Sequence, residues 1–250
     1  MTALAPLILT LLAAPSYPWR SAPVPASDTL AARLPPPERF HRTDEAAGSF
    51  GEWLRGLPLK PEGSQVLLYT GAPKARQDVH AAVVDVDVGA RDLQQCADAV
   101  MRLRAEWLFS TGRAREVAFN DTAGKRLRFS ASPAQDYASF KKFLVQVFAY
   151  AGTASLEREL KPAKLATISP GDVFIKGGFP GHAVLVADVV VDEAGQRRFL
   201  LLQSYMPAQE VHVLKNPNAA DASPWYASAF EGELVTPEWS FARAALKRWP

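Results

Sequence analysis

The sequence predicts an α+β domain in which a helix carrying Cys96 packs on an antiparallel sheet. Apolar residues at helical spacing occur before residue 160, whereas the last third reads as short strands with glycine-containing turns. Helices that precede a run of strands are typical of α+β folds. At 250 residues and 48% hydrophobic composition, the chain can bury one substantial core.

The N-terminal residues resemble an export signal. The apolar run from Leu4 to Ala14 is shorter than the roughly 20 residues that span a bilayer, and the small residues Ala14 and Ser16 fit cleavage before Tyr17. We expect a signal peptide at 1–16, a Pro/Ala-rich arm at 17–39 and a single domain at 40–250. This predicts a periplasmic or secreted protein without an integral membrane span; a buried N-terminal helix is the alternative.

Two long helices are predicted from their caps. Asp92 is a favourable N-cap for a helix that runs to Ser110, and Asp136 for one that runs to Ala151. Short helices are predicted at 48–54 and 155–160. Strands are predicted at 65–69, 80–88, 117–120, 126–129, 173–176, 183–191, 199–203 and 210–214.

Charge and cysteine content exclude several classes of function. The 28 basic and 26 acidic residues are interspersed, so no nucleic-acid partner is expected. Cys96 is the only cysteine, which excludes an intramolecular disulfide and a thiol cluster for zinc. Because the four histidines are dispersed, we expect no metal site. Acyl transfer by a cysteine and a histidine, the reaction considered below, needs no cofactor.

Cys96 is the first candidate for chemistry. Near a helix N-terminus, free N–H groups and the macrodipole stabilise a thiolate, which is the nucleophilic form of cysteine. The same register places Cys96 beside apolar neighbours, so an inert core cysteine is the alternative.

His182 and Gln203 complete a candidate catalytic set. His182 opens a strand directly after a glycine-rich segment that ends at Gly181, where it can act as a general base. Counting back from the turn at Gly195 brings Gln203 close to Ala183, from where it can orient the imidazole. A structural histidine at a strand end is the alternative.

Other residues are candidates for the walls of the cleft. Gln94 or Gln95 can offer an amide to a developing oxyanion together with the Cys96 N–H. Tyr205, with Trp225, Tyr226 and Trp239, can form an aromatic wall or simply pack. Among the other histidines, His80 precedes Asp85 and Asp87 and can line the cleft or bind a metal. His212 is predicted on a strand surface, and His41 lies in the polar segment at the start of the domain.

Two resemblances follow from longer motifs. The segment 168–175, a short loop and the segment 181–186 resemble the Pro-Gly-Asp, strand, loop, His and strand block of NlpC-type and amidase-type papain-like hydrolases. That resemblance implies a papain-like fold with Cys96, His182 and Gln203 as nucleophile, base and orienting residue. The segments 92–106, 177–183 and 203–209 resemble the bacterial family of the domain of unknown function 4846, which implies no reaction.

The resulting hypothesis is an exported cysteine hydrolase or amidase that cleaves amide or ester bonds. The resemblance implies a peptide, a peptidoglycan fragment or another amide as the substrate. The alternatives are a non-catalytic envelope protein that binds peptide or glycan through the same fold, and a structural envelope protein. The oligomeric state stays open.

Overall fold

A nine-stranded antiparallel sheet forms the centre of the computed structural model, which describes residues 15–132, 134–221 and 223–250. The helices are α1 (Leu30–Arg33), α2 (Phe50–Arg55), α3 (Cys96–Ser110), α4 (Tyr137–Tyr150) and α5 (Thr153–Glu159). The strands are β1 (His41–Arg42), β2 (His80–Val83), β3 (Ala118–Asn120), β4 (Arg126–Arg128), β5 (Lys161–Pro162), β6 (Val173–Lys176), β7 (His182–Val191), β8 (Arg197–Gln203), β9 (His212–Leu214), β10 (Tyr226–Ala227), β11 (Glu233–Val235), β12 (Ser240–Ala242) and β13 (Leu246–Arg248). The predicted α+β class is confirmed.

The large sheet has the order β2-β9-β8-β7-β6-β13-β5, with β1 paired to β7 and β10 paired to β8. Two separate hairpins, β3–β4 and β11–β12, complete the strands. Among the described residues, no helix has the length and apolar composition needed to cross a membrane.

Strand β7 is the central element, and all but its last residue are buried. Ala183 and Leu185 face the cluster that includes α3 and α4, whereas Val184 and Val186 face a second cluster with Phe241 of β12. A register shift between Val186 and Asp188 interrupts this alternation. Because both faces are covered, the strand is a nearly continuous apolar run.

Helix α3 begins later than its predicted cap at Asp92. Gln95 is the N-cap residue, and its backbone N–H donates to Asp98 Oδ2 at 3.1 Å. Asp92 instead accepts the backbone N–H of Ala208 at 2.7 Å, which fixes the loop after β8 against the start of α3. Cys96 is therefore the first residue of the helix, at the point where it meets the sheet.

The N-terminal segment lies against the domain. Tyr17 is buried and donates its hydroxyl to the Trp53 carbonyl at 2.8 Å, and the Leu30 N–H donates to Leu57 O at 2.8 Å. Packed structure thus begins before Phe40, where the sequence predicted its start. Residues 1–14 of the predicted signal peptide lie outside the described residues.

Some local predictions are wrong. The predicted strand at 65–69 is an irregular segment with isolated bridges at Leu67 and Leu68, because it pairs with loops and not with a neighbouring strand. His212, predicted on a strand surface, is fully buried because the His80 ring and the Gln203 amide pack against it, at 6.0 Å between ring centroids and 3.5 Å between Nε2 atoms. By contrast, Asp136 caps α4 as predicted, accepting the Ser139 N–H at 2.7 Å.

Candidate active site

Cys96 lines a cleft of about 310 Å³ between the start of α3 and the loop that precedes β7. Thr153, at the start of α5, and Gly181 form part of its wall, and Phe179 and Met206 lie at its rim. The Cys96 residue is 7% exposed. The thiol is therefore at the bottom of the cleft, with little contact to solvent.

The Cys96 thiol is neutral in the resting protein. Burial, together with the nearby Asp98 carboxyl, raises its pKa to about 11. The backbone N–H groups of Ala97 and Ala183 act in the opposite direction. The sequence predicted a thiolate stabilised by the helix N-terminus; that prediction is wrong because desolvation outweighs the N–H groups.

His182 is the first residue of β7 and is 1% exposed. Burial lowers the pKa of its imidazole to about 4, so the ring is neutral near pH 7. The preceding residue has to be glycine, because a Cβ on Gly181 would lie 2.4 Å from Thr153 Oγ1 and 2.5 Å from the Gly178 carbonyl oxygen. This close approach of the loop fixes where β7 starts, and therefore where the imidazole lies.

Gln203, the last residue of β8, contacts the imidazole directly. Its Oε1 lies 2.8 Å from His182 Nε2, and its Nε2 donates to Glu238 Oε2 at 2.8 Å. Because the carboxylate accepts, the amide nitrogen faces Glu238 and the amide oxygen faces the ring. His182 therefore carries its proton on Nε2 and leaves Nδ1 as the basic nitrogen.

A buried ion pair extends this chain of contacts. Lys74 Nζ lies 2.6 Å from Glu238 Oε1, and the two side chains are 8% and 10% exposed. Gln203 Nε2 also lies 3.5 Å from Nε2 of the buried His212. His212 donates from Nδ1 to the Glu210 carbonyl at 2.9 Å, and this leaves its Nε2 as an acceptor.

Cys96 lies beside the start of β7, but His182 is not among the residues that line its cleft. Within the described part of the chain, no hydrogen bond joins the thiol to the imidazole; the thiol interacts with the backbone N–H of Ala183, the next residue. The Tyr205 ring lies 4.9 Å from the His182 ring, and burial, Glu238 and Cys96 raise the pKa of its hydroxyl. Catalytic hydrogen bonds are often long before substrate binds.

The two candidate oxyanion residues have different surroundings. Gln95 lines the cleft and donates from Nε2 to Asp92 Oδ1 at 3.0 Å, which leaves its second amide N–H available. Gln94 is buried outside the cleft, where its Oε1 accepts from Arg102 Nη1 at 2.5 Å. Gln95 is therefore the better-placed donor.

The remaining sequence candidates are separated. His80 contacts the Ser64 carbonyl at 3.0 Å, whereas Asp87 binds Arg102 Nη2 at 2.7 Å and Lys141 Nζ at 2.8 Å. In the residues that the structure describes, no group of three or more histidine, cysteine or acidic side chains could hold a metal ion.

The predicted aromatic wall is divided. Trp239 lies 5.4 Å from the His182 ring and so belongs with Tyr205. Trp225 and Tyr226 are buried residues on other parts of the sheet, where Tyr226 stacks on Phe199 at 5.8 Å.

Sequence reasoning missed Lys74, Glu238 and the buried role of His212. Lys74 precedes Glu238 by 164 residues and lies in an irregular segment, so no spacing connects them. Glu238 lies in the turn between β11 and β12, where an acidic residue is usually solvated.

Comparison with known proteins gives one family. The family model described as "Domain of unknown function (4846)" matches residues 30–248. No curated protein and no solved structure matches the chain.

Proposed function

The chain belongs to the family described as domain of unknown function (4846), which names no reaction, and we propose that it is a papain-like cysteine hydrolase. The proposed nucleophile is Cys96, the general base is His182 and the orienting residue is Gln203. The substrates are amides or esters, with peptides and peptidoglycan fragments as the class that the resemblance to NlpC-type enzymes suggests. An exported location, periplasmic or secreted, is part of the same proposal.

One observation carries this proposal. A buried chain of polar side chains, Lys74, Glu238 and Gln203, ends on Nε2 of His182 beside the segment that contacts the Cys96 thiol. Burying such groups costs free energy even when all are paired, because their hydration is lost. A general base needs an imidazole that is held in position and has one nitrogen without a proton, and these contacts would supply both for His182.

The neutral states of both groups define the chemistry. Because the thiol pKa is raised and the imidazole pKa is lowered, the resting pair is thiol and imidazole. The Cys96 sulfur attacks the substrate carbonyl while His182 Nδ1 accepts the thiol proton. The proton then passes to the leaving amine or alcohol as its bond to carbon breaks. Water, activated by the same nitrogen, hydrolyses the thioester and restores the thiol.

The oxyanion of each tetrahedral intermediate needs hydrogen-bond donors. The free N–H of the Gln95 amide is the side-chain donor that lines the cleft. The Cys96 backbone N–H, at the helix N-terminus, is the second proposed donor.

A binding protein without turnover is the second candidate. It is favoured by the 1% exposure of His182 and by the absence of a direct thiol–imidazole hydrogen bond in the described residues. In that case the polar chain is structural, and the cleft holds a peptide or glycan through its rim.

Acylation of Cys96 by p-nitrophenyl acetate separates the two candidates. We expect intact-protein mass spectrometry to show a single acetyl group on Cys96, absent in Cys96→Ala. We expect His182→Ala to slow acylation by about 10²-fold or more, the usual contribution of a general base.

The matched control is His41→Ala, which removes an exposed histidine on β1. It should acylate at the wild-type rate. An equal acylation rate in His182→Ala and wild type, with both proteins folded by circular dichroism, refutes the hydrolase and leaves the binding protein.

A further inference from the structure

A second pocket adjoins the Cys96 cleft. It has a volume of about 290 Å³ and lies between α4 and the segment 87–94. Leu93 and Phe148 line both the pocket and the cleft, so the two spaces share part of a wall. A chain held in the pocket therefore contacts side chains that also border the cleft of Cys96.

The walls of this adjoining pocket are apolar. Leu93, Leu144, Val145 and Phe148 line it, and Val145 is 39% exposed. Phe179 and Met206, 87% and 52% exposed, lie at the rim of the neighbouring cleft. Three of the five exposed large hydrophobic side chains in the described ranges thus line these two neighbouring spaces. Clustered exposure of this kind marks a binding surface.

The polar end of the pocket has no free acid. Asp87 accepts from Arg102 Nη2 at 2.7 Å and from Lys141 Nζ at 2.8 Å at both of its oxygens. These contacts balance the negative charge of the Asp87 carboxylate with two cations. Arg91 lies exposed at the edge of the pocket. Gln94 also lines the pocket, with Oε1 accepting from Arg102 and Nε2 buried without a partner among the described residues. The other side chains that remain available inside are aliphatic or aromatic, so the pocket fits an uncharged, largely apolar group.

We propose that the adjoining pocket binds an apolar chain, aliphatic or aromatic, attached to the carbonyl that Cys96 attacks. The pocket thereby selects apolar acyl donors, such as a peptide with a large apolar side chain beside the scissile bond. The role as a specificity pocket rests on the proposed hydrolase function. The binding of an apolar chain does not, because it requires only the pocket.

The test compares iodoacetamide with N-hexyliodoacetamide as alkylating agents for Cys96, each corrected for its rate with the denatured protein. We expect the hexyl reagent to react about tenfold faster and with saturation, equivalent to about 1.4 kcal/mol of binding. Val145→Asp should remove this preference, so that the ratio of the hexyl rate to the iodoacetamide rate falls to about that of the denatured protein. The matched control Tyr150→Asp lies on the same helix outside both cavities and should keep the preference.

A second measurement decides the matter if Cys96 resists both reagents. Methyl NMR of the protein titrated with unreactive N-hexylacetamide should show saturable shifts at Leu93, Leu144 and Val145, and the shifts at Leu93 and Leu144 should be lost in Val145→Asp. The absence of these shifts, or a hexyl preference that persists in Val145→Asp, overturns the proposal. The hydrolase is tested separately by His182→Ala with p-nitrophenyl acetate, so either idea can fail without the other.

Discussion

Ionisation of the Cys96 thiol is the sharpest test of the site's electrostatics. Burial raises its pKa to about 11, compared with about 8.5 for an ordinary cysteine. At about pH 7 an ordinary thiol is about 3% ionised and Cys96 about 0.01%, so the thiolate population is lower by about 300-fold.

The assay is the ultraviolet absorbance of the thiolate against pH, taken as the difference between wild type and Cys96→Ala. We expect a midpoint clearly above that of the unfolded protein. Asp98→Asn should lower the pH of this thiolate midpoint, because at a pH where Asp98 is ionised the substitution removes a negative charge beside the sulfur. A midpoint at or below about 8.5 in the folded protein would refute the view that desolvation dominates the site.

Three further predictions concern the scaffold of the site. Gly181→Ala should lower the melting temperature and the rate of Cys96 acylation, because the new Cβ would lie 2.5 Å from a backbone carbonyl that cannot move freely. Glu238→Gln should cost about 3 kcal/mol of unfolding free energy in urea denaturation, because it leaves the Lys74 ammonium buried without its partner; Lys74→Met in the same chain should restore part of the loss. The free energy of unfolding should fall as pH is lowered from about 6.5 towards 4, because in this range the two histidines are protonated in the unfolded chain but His182 and His212 stay neutral in the folded protein. For His182 the expected loss is about 3 kcal/mol.

Each of these predictions has a control. Gly152→Ala should be tolerated, since its Cβ would meet nothing within 4 Å and its φ of 177° is extended. A Glu238→Gln variant as stable as wild type would show that Lys74 finds another partner or solvent. The two histidines have folded pKa values below the unfolded value, so their contribution is complete above about pH 6.5; a stability that rises on acidification through that range would contradict the burial of their neutral forms.

The sequence predicted the parts of the fold that depend on local pattern. The Asp136 cap, the β3–β4 hairpin and the run of strands after residue 170 all have local causes: a cap, a turn and β-branched residues. The contact between His182 and Gln203 was also predictable, because a single turn connects the two strands that carry them. The register shift after Val186 changes the pairing by one residue, and the long glutamine side chain still reaches the ring.

The missed features depend on contacts distant in sequence. The start of α3 could not be placed because Asp92 was expected to cap the helix, whereas it binds the N–H of Ala208, 116 residues away. The stabilised thiolate was wrongly predicted because the sequence shows that Cys96 lies at the start of a helix but does not show how deeply it is buried, and burial determines the direction of its pKa shift. The same reason hides Lys74 and Glu238, whose pairing appears only when the sheet has assembled.

The position of Glu238 has a consequence for the order of events during synthesis. Every other member of the polar chain, from Lys74 to Gln203, leaves the ribosome before Glu238, which lies in the β11–β12 turn. A nascent chain that has folded as far as β9 therefore has its thiol and imidazole but lacks the carboxylate that accepts a hydrogen bond from the Gln203 amide. The imidazole receives its fixed tautomer only after the β11–β12 turn has been made, so the geometry of the site is completed later than the strands that carry Cys96's neighbours, His182 and Gln203.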